Sequence, residues 1–347
     1  PVPIRAGAEV RAMSGVGEGG GSTRASSRPE PGAEGGAAPE FLAIVGPTAA
    51  GKTRLSLEVA GLLDGEIISM DSRQVYRGMD VGTAKPSAEL QRRYPHALMD
   101  IRDPADSFSA GEFARAARSE AETLLAQGRV PLLVGGTGLY FRAFAQGLAD
   151  LPGADPALRA RLQEEAESRG WHAMHACLAR LDPAAAERIH PRDGQRILRA
   201  LEVCERTGRP ISELQRRGGL DPLAYPVLRM ALWLPREILW ERIERRFRAM
   251  LEAGLEEEVR KLVAVGVDPD SPALRSVGYR QVREYLAGLS GGGEELVQAG
   301  TVATRRLAKR QLTWLRKEPG VEWFRPEHAE TVVGRVRTFL SALGWKV

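Results

Sequence analysis

The chain has 347 residues, room for two folding units at roughly 150 residues each, and its 43% hydrophobic content can fill cores, which excludes a wholly disordered chain. Forty-nine basic residues against 45 acidic ones leave a net charge of +4, which suits a polyanionic partner without requiring one. Two cysteines, Cys177 and Cys204, exclude a disulfide framework and an all-cysteine zinc site. The absence of any long apolar window excludes a membrane span, so a cytoplasmic protein with no membrane partner is expected.

Residues 1–40 hold nine glycines, five prolines and no aromatic residue. They lack the apolar surface that would offset the entropy of ordering, so they read as a disordered leader, with Met13 a candidate start. Order begins at Phe41–Val45, a short apolar run bounded by glycine that reads as a buried strand. A helix is expected from Lys52 to about Leu63. Further apolar runs follow at Ile67–Met70, Ala97–Ile101 and Val130–Val134, with a helix from Ser109 to Gln127 between the last two. Strands alternating with helices predict a parallel, doubly wound α/β sheet whose ligands lie at the carboxyl ends of the strands. On that rule Gly46, Asp71 and Gly135 should be neighbours. From Asp155 to Thr207 the chain is helix-forming, rich in alanine, arginine and glutamate. Val227–Leu234 reads as a strand returning to the first sheet, helices resume at Arg236, and Ser290–Gly293 reads as a flexible loop. The expected organisation is a leader over 1–40, an α/β core from 41–149 and 223–347 that ends in helices, and an all-helical insertion over 150–222.

Gly46-Pro47-Thr48-Ala49-Ala50-Gly51-Lys52-Thr53 matches G-x-x-x-x-G-K-[ST] between a strand and a helix. Its backbone N–H groups and the helix N-terminus suit a diphosphate or triphosphate. Lys52 adds a point charge, and the Thr53 hydroxyl is a candidate magnesium ligand. An ATPase or small-molecule kinase is the ordinary reading of this loop, with Asp71 or Asp100 as the acidic partner of the metal. ATP occupancy of the loop stays open on these residues alone.

Three further blocks narrow the choice. They are Asp71-Ser72-Arg73-Gln74-Val75-Tyr76-Arg77-Gly78-Met79-Asp80-Val81-Gly82-Thr83-Ala84-Lys85-Pro86, then Leu132 to Tyr140 with Gly135-Gly136-Thr137-Gly138 at its centre, then Arg305 to Leu315. With the phosphate loop, and in this order, they resemble the bacterial tRNA dimethylallyltransferases from about residue 41 to about residue 325. The resemblance implies a P-loop NTPase-like parallel sheet flanked by helices, with an all-helical insertion domain that contacts tRNA. It also implies transfer of a dimethylallyl group from dimethylallyl diphosphate to N6 of the adenosine beside the anticodon, with Mg2+ and release of diphosphate. A monomer is expected.

Residue by residue, the resemblance implies Asp71 as general base and, with Ser72, Arg73 and Gln74, as part of the segment that holds the flipped base. Otherwise Asp71 is a metal or capping carboxylate. Thr48 matches the threonine whose hydroxyl reaches the scissile oxygen. Gly46 to Thr53 would bind the diphosphate. The resemblance implies Arg246, the arginine of the Arg246-Phe247 pair, as a further diphosphate contact; on the helix from Arg236 it falls at the border of the stripe of Leu239, Ile243, Phe247 and Met250, from which it can reach inward, and its plain alternative is a snorkelling surface arginine. Thr137 is implied as a tRNA contact, or serves as a helix cap. Gln195, Arg196, Ile197, Leu198 and Arg199 match the RNA-contacting segment of the family. Arg192, Arg196 and Arg199 recur at helical spacing as one basic ridge opposite Ile197, Leu201 and Cys204, and Arg159 is a further candidate for the same surface. Thr301–Lys317 carries six basic residues, no acidic one and Trp314, a composition suited to phosphate contacts and stacking, whereas burial of Leu307, Leu312 and Leu315 would make half of it core. Ala50 stands where the family commonly has serine, removing a hydroxyl near the diphosphate. The competing functions are a P-loop kinase and a noncatalytic RNA-binding protein switched by nucleotide.

Overall fold

The structure, a computed structural model, describes residues 41–63, 65–223, 227–289 and 291–342. The leader expected at 1–40 lies outside them. From Phe41 the chain alternates strand and helix: β1 (Phe41–Val45), α1 (Lys52–Leu63), β2 (Glu66–Met70), α2 (Ala88–Arg93), β3 (His96–Ala97), α3 (Ala110–Ala126), β4 (Pro131–Gly135) and α4 (Gly138–Gln146). A two-residue strand β5 (Leu148–Ala149) then opens a run of helices, α5 (Pro156–Arg169), α6 (Trp171–Leu181), α7 (Pro183–Arg188), α8 (Gly194–Thr207) and α9 (Ile211–Arg217), closed by β6 (Gly219–Leu220). The remainder is β7 (Val227–Leu232), α10 (Arg236–Glu252), α11 (Leu255–Ala264), α12 (Tyr279–Leu286), α13 (Gly293–Leu315), β8 (Val321–Phe324), a 3-10 turn at Pro326–His328 and α14 (Ala329–Ser341).

Six strands form one parallel sheet in the order β3-β2-β4-β1-β7-β8. Strand β1 is buried along its whole length, which is why it reads as an unbroken apolar run rather than an alternating one. Its faces feed two cores. Phe41, Ala43 and Val45 pack with Phe113, Phe141 and Phe144 of α3 and α4, while Leu42 and Ile44 pack with Leu55 and Val59 of α1 and Val332 and Val336 of α14. Helix α3 starts at a reciprocal cap: Ser109 Oγ accepts the Glu112 N–H at 3.2 Å and Glu112 accepts the Ser109 N–H at 2.9 Å.

Gly135 is the register partner of both Val45 and Met70, so the ends of β1, β2 and β4 meet at one point, the edge from which Gly46, Asp71 and Gly136 emerge. A Cβ on Gly135 would lie 2.0 Å from the Met70 carbonyl oxygen; only glycine lets the three strands close there.

The expected strand at Ala97–Ile101 is corrected. Only His96 and Ala97 pair with β2, because Leu98 and Asp100 take φ of 62° and 53° and turn the chain out of the ladder. The apolar side chains of that run serve packing instead, with Leu98 in the α3–α4 core. Strand β8, parallel to β7, and the β5–β6 ribbon were not foreseen among the expected helices. At the expected loop 290–293, Gly293 is already the first residue of α13, and Ser290 lies outside the described residues.

Helices α5 to α9 enclose a separate apolar cluster that includes Leu162, Met174, Leu178, Ile197 and Leu201. Helices α10 to α13 pack on the segment after β2, burying Val75, Tyr76 and Met79 against Phe247, Leu255, Val259 and Tyr279. The long block Asp71–Pro86 is thus held on one side by the sheet and on the other by the C-terminal helices.

Candidate active site

Above the carboxyl ends of β1, β2 and β4 lies a cavity of about 490 Å³. Its wall includes Thr48, Ala49, Lys52 and Thr53 from the phosphate loop, Asp71 to Gln74 from the end of β2, Gly135 to Gly138 from the end of β4, Arg246 from α10, and Gln311 and Trp314 from α13. A wider groove of about 830 Å³ meets it at Ala84, Arg246 and Met250 but holds none of the loop. The smaller space is therefore the candidate site.

Within the loop, Gly46, Pro47, Ala50 and Gly51 do not line the cavity. Ala50 is fully buried and packs into the core with Leu55 and Val59, so its side chain faces away from an anion on the loop; the expected loss of a hydroxyl near the diphosphate is corrected on that ground. Ala49 adopts φ of 63°, the left-handed curl that turns successive amides inward. Lys52 folds over the loop and donates to the carbonyls of Gly46 at 3.0 Å and Pro47 at 2.9 Å. Burial lowers its pKa to about 8, against a raising influence from Asp71 and a further lowering one from Arg246. Burial likewise lowers the Arg246 pKa while Asp71 raises it. Two desolvated cations facing one carboxylate form a site short of negative charge, which an incoming anion supplies. The border position read for Arg246 from the helix stripe is the one that turns it into this cavity.

Asp71 Oδ1 accepts the Arg73 N–H at 2.8 Å, which fixes the carboxylate at the strand end. Thr137 occupies the N-cap position of α4 but makes no side-chain cap; its hydroxyl accepts the Ser72 N–H at 3.2 Å, joining the β2 and β4 loops. Ser69 Oγ donates to Gln74 Oε1 at 3.0 Å, and Gln74 Nε2 donates to the Thr83 carbonyl at 3.3 Å. The Arg73 guanidinium reaches out to the Pro272 carbonyl at 2.6 Å. Thr53 is exposed at the rim of the cavity.

Other expected residues lie elsewhere, on α5 and α8. Gln195 and Arg196 are exposed on α8, Leu198 and Arg199 are half-buried, and Ile197 is fully buried in the cluster of helices α5 to α9. The Ile197 side chain therefore cannot reach RNA, because it is part of the core that holds α8 in place. Arg192 precedes the N-cap Asp193 and is not on the helix, so the three-arginine ridge is corrected as well. Arg159 and Arg199 turn to Glu202, which is fully buried: Arg159 donates from Nε and Nη2 at 3.0 Å each, and Arg199 donates from Nη1 at 2.7 Å. A carboxylate so placed stays ionised only with such donors, and this is what draws both guanidinia inward. On α13 only Leu315 of the three expected leucines is fully buried; Leu307 lines the cavity, and Leu312 packs beside Leu234 and Ile243.

Gln311 is the residue that sequence reasoning passed over. Its Oε1 accepts the Thr48 N–H at 2.8 Å and its Nε2 donates to the Gly136 carbonyl at 3.1 Å, so it ties the phosphate loop to the β4 loop. It sat inside a recognised block, but nothing in its helical spacing marks the face that meets the loop. Arg275 to Tyr279, also on the cavity wall, carried no signal of their own.

Residues 74–318 match the IPP transferase family. The chain belongs to that family. Two tRNA dimethylallyltransferases of Stenotrophomonas maltophilia, from strains R551-3 and K279a, are 51% and 50% identical over 312 residues, covering 87% of this chain and 98% of each relative. The tRNA isopentenylpyrophosphate transferase structure from Bacillus halodurans has a TM-score of 0.64 at 38% identity, covering 88% of this chain and 98% of that one. A eukaryotic dimethylallyltransferase acting on tRNA has a TM-score of 0.66 at 26% identity, covering 80% and 70%. Among the described residues no helix is long and apolar enough to cross a membrane.

Proposed function

We propose that the chain transfers a dimethylallyl group from dimethylallyl diphosphate to N6 of the adenosine beside the anticodon of tRNA, in the cytoplasm. The observation that carries this reading is the single cavity into which the phosphate loop, Asp71 and Arg246 all turn. The N6 lone pair attacks C1 of the dimethylallyl group, the C1–O bond breaks, and diphosphate leaves with the bonding pair. Asp71 takes the N6 proton, its carboxylate oriented by the Arg73 N–H. Lys52, Arg246 and the loop amides stabilise charge gathering on the departing diphosphate, with the Thr48 hydroxyl toward the scissile oxygen. No phosphoryl group is transferred, which separates this reading from a kinase that shares the loop.

Among the described residues no cluster of His, Cys, Asp or Glu could cage a metal, whereas a lone hydroxyl on the rim, Thr53, suits an ion held mainly by diphosphate oxygens and water. Thr53 would hold Mg2+, with Asp71, the acidic residue on the cavity wall, as the alternative; the ion would supply further neutralisation of the leaving group. Ser72, Gln74 and Thr137 would bound the target base. Gln195 and Arg196 offer the insertion's exposed contacts to the anticodon stem-loop, with Arg159, Leu198 and Arg199 behind them.

The test mixes purified protein, unmodified tRNA, Mg2+ and labelled dimethylallyl diphosphate. Label should enter the RNA, and Asp71→Ala should lower the rate roughly a hundredfold or more while tRNA binding is largely kept. Label-free RNA with folded wild-type protein, or ATP turnover without an acceptor, would overturn the assignment.

A further inference from the structure

The turn after Met79 is built around a carboxylate from another helix. Glu258, in the first turn of α11, accepts through Oε2 the N–H groups of Asp80 at 2.8 Å and Val81 at 2.7 Å, and through Oε1 the N–H of Gly82 at 3.1 Å. The Tyr279 hydroxyl completes the set, donating to Oε1 at 2.5 Å. Three consecutive amides converging on one anion form a nest, and four donors match the four lone-pair directions of a carboxylate. The turn lies hard against α12, since a Cβ on Gly82 would sit 2.5 Å from the Tyr279 ring.

One residue beyond the nest, the Thr83 carbonyl accepts from Gln74 Nε2, and Gln74 Oε1 accepts from Ser69. The Gln74 amide is held at both ends. One N–H and one lone pair remain for a partner in the cavity that Gln74 lines. A donor beside an acceptor is what a glutamine amide offers to an adenine edge.

We propose that Glu258 is a positioning residue for recognition of the target base: it fixes the Asp80–Gly82 turn, and through the Thr83 carbonyl it sets the amide of Gln74. This rests on the prenyl-transfer reading above. Glu258→Gln puts an NH2 group where backbone N–H donors converge, so the turn loses its anchor, while the side-chain bonds that hold the phosphate loop come from Lys52 and Gln311 and involve neither Glu258 nor the turn.

The experiment is a double-mutant cycle of Glu258→Gln and Gln74→Ala, read as kcat/KM for tRNA and KM for dimethylallyl diphosphate. Glu258→Gln should lower kcat/KM for tRNA about tenfold and leave the KM for dimethylallyl diphosphate within about twofold. In the Gln74→Ala background the same substitution should add less than about a twofold further loss. Tyr279→Phe, which keeps the three backbone bonds, should give a smaller loss of the same kind, and it carries the cycle if Glu258→Gln does not fold. Losses that multiply in the double variant, or a KM for dimethylallyl diphosphate that rises as much as the tRNA term falls, overturn the role of Glu258 while the wild type still prenylates. A wild type that transfers no label overturns the functional reading itself, and this inference with it.

Discussion

Gln311 and Thr48 are 263 positions apart in the chain, yet the Thr48 N–H donates to Gln311 Oε1 at 2.8 Å. A helix near the C-terminus thereby sets the pitch of the phosphate loop. Because the same amide donates to Gly136, α13 bridges two of the three strand ends that bound the cavity.

Removing that bridge should be felt first by the diphosphate. Gln311→Ala is expected to raise the KM for dimethylallyl diphosphate about tenfold and to lower stability by about 1–2 kcal/mol, since it leaves Thr48 and Gly136 without their partner. Steady-state kinetics with denaturant titration checks both. An unchanged KM would leave Gln311 as a packing residue only.

Lys52 sets function against stability. Burial disfavours its charge in the folded protein, so Lys52→Met should make the free protein more stable by about 1 kcal/mol. The same change should weaken binding of dimethylallyl diphosphate by about a hundredfold, because the loop loses its point charge. Thermal melts with and without inorganic diphosphate separate the effects. Destabilisation of the free variant would contradict the reading of a site short of negative charge.

The packing of helices α5 to α9 should be sensitive to acid through Glu202 on α8. Burial by itself would raise its pKa, but donation from Arg159, the Asp155 N–H and Arg199 outweighs burial and holds it below the usual 4.5. A carboxylate with a lowered folded pKa contributes stability that is complete above 4.5 and is lost as pH falls through the folded value. Glu202→Gln should flatten the pH dependence of stability in that acid window and cost about 1–3 kcal/mol at neutral pH. Equal acid slopes for wild type and variant would count against this.

On α8, adjacent residues should behave in opposite ways. Ile197→Ala should cost about 2–5 kcal/mol, as expected for a fully buried side chain, with little direct effect on RNA affinity in the folded fraction. Arg196→Ala should change stability by less than about 0.5 kcal/mol and reduce the salt dependence of tRNA binding by about one phosphate contact. Filter binding across a salt series measures the second, and an unchanged slope would remove Arg196 from the interface.

Much of the architecture was open to reading because its signals are local. Unbroken apolar runs such as Phe41–Val45 announce buried parallel strands, and a glycine-rich turn between strand and helix announces an anion loop, since both depend on near neighbours in the chain. Asp71 and Gly135 could be placed side by side by the strand-end rule alone. The run Ala97–Ile101 misled, because its apolar residues satisfy packing in a turn with positive φ as well as they would in a strand. Strand β8 was too short to stand out from the helices around it.

The chain by itself determined the phosphate loop, the buried strands that flank it, and the blocks that resemble one family. Tertiary packing decided which side chains are available to a ligand. Arg159 and Arg199 have the composition of an RNA-facing surface, but buried Glu202 turns them inward. Gln311 and Glu258 look like ordinary helix residues until they meet backbone amides far away in the chain. A helical period tells which residues share a face; only the packed neighbour supplies the unpaired amide or buried charge that gives that face its task.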